Sequence, residues 1–277
     1  MTRASATTPI GPLTPHLYEP SAARPVRVKL HRLTTDTRVV PHHHPWGQIA
    51  LSATGVVRLT VEHGNYLVPP SRAIWVPPGV QHAVTVLEDA DLLTLYLRHP
   101  PGHAGSPAER APWQQCRVLE VSDLLRALVM AMDHRPDGAG PAPSGEALRR
   151  ERRISALVLD ELRRARPVRL GVDLPGDKRL RALCQAVLDD PTRHDTLEAW
   201  ARDSGASPRT VARLFRQELG TTFVQWRQQV LLAKALAMAA RRVPMSTIAA
   251  ELGYASPSAF SAMVRRSVGA PPSRFFA

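Results

Sequence analysis

Between Val26 and Leu97 apolar and polar positions alternate in short runs, such as Val56-Val57-Arg58-Leu59-Thr60-Val61 and Ala83-Val84-Thr85-Val86, broken by Gly, Pro and Asn. A period of two with such breakers predicts an all-β barrel or sandwich. His63-Gly64-Asn65 lies between two of these runs, and a Gly-Asn pair supplies the positive φ that a tight hairpin needs. The period then changes. From Val121 to Met132 and from Ser144 to Ala165 apolar residues recur at three and four, with Leu148, Ile154, Leu157, Val158 and Leu162 forming one stripe opposed by Arg and Glu. That spacing predicts two helices packed on each other, a pair also suited to a dimer contact. Residues 1–25 are rich in Pro, Thr and Ser without a period and read as a loosely held arm. His134 to Pro143 is a Pro/Gly/Ala stretch with no packing face, expected to be a mobile linker, and a second such stretch runs from Arg166 to about Gly176. The expected organisation is a two-domain α+β chain: an arm at 1–25, a β-barrel at 26–115, a helical linker or dimerisation segment at 116–176, and an all-α domain at 177–277.

The C-terminal part contains an internal repeat. Leu197-Glu198-Ala199-Trp200-Ala201-Arg202-Asp203-Ser204-Gly205 leads into Ser207-Pro208-Arg209-Thr210-Val211-Ala212-Arg213-Leu214-Phe215-Arg216 and ends near Gly220. Ile248-Ala249-Ala250-Glu251-Leu252-Gly253 leads into Ser256-Pro257-Ser258-Ala259-Phe260-Ser261-Ala262-Met263-Val264-Arg265-Arg266 and ends near Gly269, 48 to 49 residues later. A small residue, Ala201 or Ala249, lets one helix approach the next, and a glycine four residues on permits the sharp turn between them. Ser-Pro then starts the second helix, with serine as cap and proline in the first position, where its missing N–H costs nothing. Two such units in register predict a pair of helix-turn-helix elements. Thr222 to Arg241 has no proline or glycine and predicts one helix of about 20 residues, near 30 Å. Major-groove faces on one side of B-DNA repeat about every 34 Å, so this spacer suits two recognition helices on adjacent groove segments.

Charge sharpens that reading. Lys and Arg outnumber Asp and Glu by 36 to 24, and residues 177–277 hold 15 of the basic against 8 of the acidic residues, while 1–110 hold 10 against 7. A basic helical domain attracts polyanions, nucleic acid first among them. Cys184 lies at helical spacing with Leu180, Leu183, Val187 and Leu188 and reads as a core thiol, and Cys116 is far from it. No apolar run approaches the ~20 residues of a membrane span, and the N-terminus shows no signal-peptide pattern, so the cytoplasm is the expected location.

The last hundred residues resemble the AraC/XylS family of transcription regulators. The likeness is carried by both helix-turn-helix units, including Leu-Gly-Tyr-Ala-Ser-Pro-Ser-Ala-Phe-Ser at 252–261 and Val-Gly-Ala-Pro-Pro-Ser-Arg-Phe-Phe at 268–276. It implies activation or repression of promoters under the control of an effector bound to the N-terminal part, with double-stranded promoter DNA as partner and RNA polymerase as a second one for an activator. The chain departs from the family where an arginine and a phenylalanine commonly follow Phe-Ser, since Ala262 and Val264 stand there. The first unit is therefore expected to read bases through Arg209, Thr210 and Arg213, with Arg216 beside them. Ser258, Ser261, Arg265 and Arg266 are expected on phosphates, and Ser207 and Ser256 at the helix starts.

Pro41-His42-His43-His44-Pro45-Trp46-Gly47-Gln48, with Gly55 beyond it, and Pro77-Pro78-Gly79-Val80-Gln81-His82 resemble the two short motifs of cupins, small β-barrels. In metal-binding cupins two histidines at i and i+2, a carboxylate four residues on and a histidine of the second motif hold the ion. That pattern maps onto His42, His44, Gln48 and His82, with His43 turned the other way. Gln48 stands where glutamate is usual, so two readings remain open: a divalent metal, or a polar pocket in which these groups hydrogen-bond an organic effector or one another. Trp46 and Trp75 are candidates to line such a pocket. The missing carboxylate counts against a metal-dependent cupin enzyme, and a whole sensory domain counts against a purely architectural DNA-binding protein.

Overall fold

The computed structural model describes residues 8–35, 37–62, 64–70, 72–168, 171–268 and 271–276. His63 of the expected hairpin turn and Gly269–Ala270 of the closing motif lie outside the described residues. In chain order the elements are β1 (Thr8–Ile10), β2 (Val26–Leu33), β3 (Thr37–His42), β4 (Gly47–Thr54), β5 (Val57–Val61), β6 (Gly64–Val68), β7 (Arg72–Val76), β8 (His82–Val86) and β9 (Ala90–Leu97). There follow α1 (Pro107–Arg110), β10 (Arg117–Glu120), α2 (Asp123–Met130), α3 (Gly145–Arg164), β11 (Pro167–Val168) and β12 (Gly171–Asp173). The rest is helical: α4 (Lys178–Asp189), α5 (Leu197–Asp203), α6 (Pro208–Leu219), α7 (Phe223–Ala240), α8 (Met245–Glu251), α9 (Pro257–Val268) and α10 (Pro272–Phe275). The chain is thus α+β in two compact units, one of residues 1–61 with 68–168, the other of 62–67 with 169–277.

In the first unit the strands form two sheets, β1-β3-β8-β5 on one side and β11-β10-β7-β4-β9-β2 on the other. The second sheet is apolar on both faces but not equally so. Val26, Val28, Gly47, Ile49, Leu51, Ala73, Trp75, Leu93, Leu95 and Leu97 share one parity, and all but the glycine join a core with Leu125 and Val129 of α2 and Ile154, Val158 and Leu162 of α3. The opposite parity carries Arg27, Lys29, Gln48 and Tyr96, with Arg27 paired to Tyr96 and Tyr96 to Gln48 across the strands. Because the helices cover the outer face of this sheet, polar side chains of β2 and β4 turn into the barrel. Gly47 has a specific reason to be glycine: a Cβ there would overlap the indole of Trp75, whose Nε1 donates to the Trp113 carbonyl at 2.9 Å.

The helices begin where capping chemistry places them. Ser122, Ser144, Asp177, Thr196 and Ser207 each accept a backbone N–H with the side chain at the start of α2, α3, α4, α5 and α6, and Thr222 with Gln225 forms a capping box on α7.

Two stretches differ from expectation. The arm is fixed from Thr8 on: β1 runs parallel to β3, and Tyr18, 6% exposed, donates its hydroxyl to the His134 carbonyl at 3.1 Å. The 134–143 linker is likewise held at its start, since Asp137 N–H donates to Leu17 O at 2.8 Å and its carboxylate accepts from Arg27 at 2.7 Å. Neither segment has an apolar periodicity, so composition alone hides these polar ties.

In the second unit β6 pairs antiparallel with β12, Arg181 donates to the Glu62 carbonyl at 3.1 Å, and Val172 and Leu174 enter a core with α4, α5, α6 and the start of α7. Among the described residues no helix is long and apolar enough to cross a membrane. Gly47→Ala is expected to lower the stability of the first unit by about 1–3 kcal/mol through overpacking against Trp75; urea unfolding followed by tryptophan fluorescence checks it, and an unchanged midpoint contradicts the assignment of this packing.

Candidate nucleic-acid interface and sensory site

The duplicated motif folds as two helix pairs. In the first, Ala201 is fully buried, Gly205 turns the chain at φ 65°, and Ser207 Oγ accepts from Thr210 N at 3.1 Å to start α6. Val211 and Phe215 of α6 are buried with Trp200, Phe223 and Trp226. Arg209, Arg213 and Arg216, at i, i+4 and i+7, share another face and are exposed. Thr210 is half-buried, and its hydroxyl is engaged with that of Ser207 at 2.9 Å.

The second pair repeats the geometry: Ala249 is buried, Gly253 turns at φ 77°, and Ser256 Oγ accepts from Ala259 N at 3.2 Å. On α9, Phe260, Met263 and Val264 are buried, whereas Ser258, Arg265 and Arg266 are exposed and Ser261 half-buried. Val264, singled out as a departure at a reading position, is therefore core. Among the described residues, Arg209, Arg213, Arg216, Arg265 and Arg266 enter no ion pair, in contrast to Arg163 and Arg164, held by Asp160, and Arg193, held by Asp203. Arg213 bonds only Gln217, at 2.7 Å, on its own helix. These five exposed guanidinium groups without ion pairs, three on α6 and two on α9, are of the kind that contacts phosphates and guanine edges.

In the barrel, His42 and His82 face each other across paired β3 and β8, with ring centroids 4.4 Å apart, and the His44 ring is 5.3 Å from that of His82. His42 and His82 each place Nδ1 2.9 Å from a main-chain carbonyl, of Val40 and Val80. Burial holds both rings below the usual imidazole range, His82 at about 4. His82 is therefore neutral near pH 7, with Nδ1–H donated and Nε2 left as an acceptor, and that Nε2 is buried without a partner among the described residues.

His44 has Nδ1 2.7 Å from Trp46 O and Nε2 2.8 Å from the Gln48 amide. One ring nitrogen thus meets a main-chain carbonyl and the other the Gln48 side-chain amide, whose oxygen and nitrogen can exchange places.

This set does not fit a divalent ion. Gln48 is spent on His44, no carboxylate joins the rings, and among the described residues no group of three His, Cys, Asp or Glu is arranged to hold a metal. Trp46 stacks on His44 at 5.5 Å and lies 6.0 Å from Tyr96, so it belongs to the polar cluster. Trp75 does not: it points to the helix-covered face, opposite Gln48, and is core.

Sequence reasoning passed over the polar row of β2. Arg27 is 1% and Lys29 2% exposed. Arg27 donates to Asp137 and to the Arg135 carbonyl at 3.0 Å, and its guanidinium lies 5.6 Å from the Tyr18 ring centroid. Lys29 lies 5.4 Å from the same centroid, and among the described residues its ammonium bonds only Thr14 Oγ1, at 3.3 Å. Burial pulls Lys29 down to about 8. The strict alternation Val26-Arg27-Val28-Lys29-Leu30-His31 was the available signal.

Residues 14–158 match the family model described as AraC-like ligand binding domain, and 200–277 match a helix-turn-helix domain. The chain is 29% identical over 262 residues, 94% of its length and 91% of the relative's, to the HTH-type transcriptional regulator NimR of Escherichia coli. It is 30% identical over 116 residues, 41% of each chain, to the arabinose operon regulatory protein of Salmonella typhimurium. Among solved structures, ToxT from Vibrio cholerae aligns over 91% of this chain and 97% of its own at 11% identity, with a TM-score of 0.36.

The Lys29 environment generates a stability prediction. Its amine titrates near 8 when folded and near 10.4 when unfolded, so between those pH values the unfolded chain binds more protons and stability rises with pH. The gain is on the order of 2–3 kcal/mol. Urea titrations at pH 7.5, 9 and 10 check it: Lys29→Met should flatten the rise, and an equal slope in the variant contradicts the burial of a protonated amine.

Proposed function

Since the chain belongs to the AraC family of transcription regulators, we propose that it reads its promoter mainly with Arg209, Thr210 and Arg213 of α6, assisted by Arg216, while Ser258, Ser261, Arg265 and Arg266 of α9 hold phosphates. It is a DNA-binding regulator with an N-terminal ligand-binding domain, and not an enzyme. The observation that carries the residue assignment is the set of five arginines without ion pairs on the exposed faces of two helices in one compact unit. Ser207 and Ser256 serve first as caps of those helices and bring their N-termini, with free backbone N–H groups, toward the phosphates.

The effector is a small molecule taken up between the two sheets, where His42, His44, Gln48, His82 and Trp46 supply polar and aromatic contacts. The orphaned acceptor His82 Nε2 supports this, because a buried polar atom without a partner is costly and a bound hydroxyl or amine relieves it. Binding alters transcription only as far as the effector prefers one arrangement of the chain over another. Leu124, Met130 and Leu157 of α2 and α3 are each more than half exposed, which supports a homodimer contact on that face. As an activator the protein also meets RNA polymerase.

The test begins with fragments selected from genomic DNA by the full chain, followed by anisotropy titrations at several salt concentrations. Arg209→Ala and Arg213→Ala should each weaken specific binding by roughly 5- to 150-fold and relax sequence preference. Arg265→Ala should weaken specific and non-specific DNA alike and reduce the salt slope by about 1. Wild-type affinity in all three variants contradicts the assignment.

A further inference from the structure

At the mouth of the barrel, the polar groups of the first unit do not balance. Arg24 holds Glu151 through two bonds of 2.8 Å and Asp133 at 3.2 Å; Arg135 shares Asp133 at 2.9 Å; Arg27 takes Asp137 at 2.7 Å. Every carboxylate of this cluster is thereby committed to an arginine. Lys29, two residues deeper on the same face of β2, has no carboxylate within ion-pair distance among the described residues, although it is 98% removed from solvent. Arg27 Nε is also buried without a partner. Successive same-face residues on a strand lie about 7 Å apart, so a single carboxylate seated between the Arg27 and Lys29 head groups can reach both.

From this geometry we infer that Arg27 and Lys29 form an anion site for the carboxylate of a small organic acid, and that Asp137, reaching in from the connector after α2, is its tethered competitor. Asp137 suits that part: its side chain is half exposed, it is anchored to the mouth by one main-chain bond to Leu17, and it satisfies Arg27 while leaving Lys29 unmet. A free carboxylate that satisfies both cations displaces it and releases the connector from Arg27. Effector capture and a change in the segment leading to α3 then become one event, in which a neutral isostere gains nothing because it leaves the buried ammonium uncompensated. The aromatic rings beside the cations, Tyr18 and Tyr96, favour an acid with an unsaturated or aromatic body.

The inference rests on the barrel's sensory role proposed above, and acetate is the minimal probe. Thermal unfolding of the full chain is followed at fixed ionic strength in sodium acetate, sodium chloride or acetamide with chloride. Asp137→Asn leaves two buried cations without an anion and should melt lower than wild type; tens of millimolar acetate should raise its midpoint by about 2–4 °C, with no response to acetamide or to chloride. The double variant Asp137→Asn with Lys29→Gln should not respond. Equal shifts in acetate and chloride, or an undiminished acetate response in the double variant, overturn the site. If Asp137→Asn does not accumulate as folded protein, tryptic cleavage after Arg135 in the wild-type chain is the readout: acetate should accelerate it several-fold over chloride, and equal rates overturn the proposal. Binding of the Lys29→Gln single variant to selected promoter DNA is measured in parallel. Normal DNA binding by Lys29→Gln, together with no acetate shift in Asp137→Asn, would sink the anion site and leave the regulator reading intact, whereas loss of promoter selection by wild-type protein would sink the latter.

Discussion

From Trp226 to Ala239 no residue of α7 is exposed to solvent, and this all-round burial is the constraint on which the C-terminal half depends. Phe223, Trp226 and Val230 belong to the core of the first helix pair, while the same helix packs against α8 and α9. A helix with no exposed residue over this stretch cannot rest on one partner with its other side wet, although Arg227, Gln228, Gln229 and Lys234 interrupt its apolar surface; it requires both pairs to be folded around it. Trp226 is further pinned by its Nε1, which donates to Asp173 O at 2.8 Å, and Arg227 by its bond to Pro191 O at 2.9 Å. The two arginine-bearing helices are in consequence attached to one rigid element of 18 residues, about 27 Å long. Their separation is a property of the core, and a single chain can present two reading heads without a second copy to set the distance.

The N-terminal half obeys a different constraint. Its second sheet is covered on the outside by α2 and α3, which takes Val26, Val28, Trp75 and Leu95 to the helix-facing side and leaves Arg27, Lys29 and Gln48 to face the first sheet. A barrel whose interior is built from histidines, an arginine and a lysine is expensive to desolvate. The cost is met by ties made over long stretches of chain, Arg24 to Glu151, Arg27 to Asp137 and Tyr18 to the His134 carbonyl, which also bind the arm and the connector to the mouth. Polar satisfaction, and not apolar packing, fixes these two segments.

That difference explains what could be read from the residues alone. The helix-turn-helix units were legible because each landmark is a local steric necessity: Gly205 and Gly253 at positive φ, Ser207 and Ser256 as caps, Ala201 and Ala249 where helices meet. The strands were legible from their period. Which face of a strand is inside was not, since alternation is the same for both parities; hence Trp75 stood as a candidate for a pocket wall beside the plainer reading of core, which is where it lies, and Lys29 was passed over. Between the two readings left open for the histidines, a metal or a polar pocket, the engagement of Gln48 with His44 favours the pocket, and that contact is visible only in three dimensions. The ties of the arm and connector span more than a hundred residues and carry no local signature. The three-residue pairing of 64–66 with 171–173, which places residues 62–67 in the C-terminal unit, is too short to leave a pattern.

The central claim is that one chain lays two recognition helices, spaced by α7, on one side of a single duplex. Hydroxyl-radical footprinting of the full chain on a selected genomic fragment measures this directly. The account predicts two protected tracts on the same face, centred about one helical turn, 10 to 10.5 base pairs, apart. A single tract, or two tracts on opposite faces of the duplex, would contradict it.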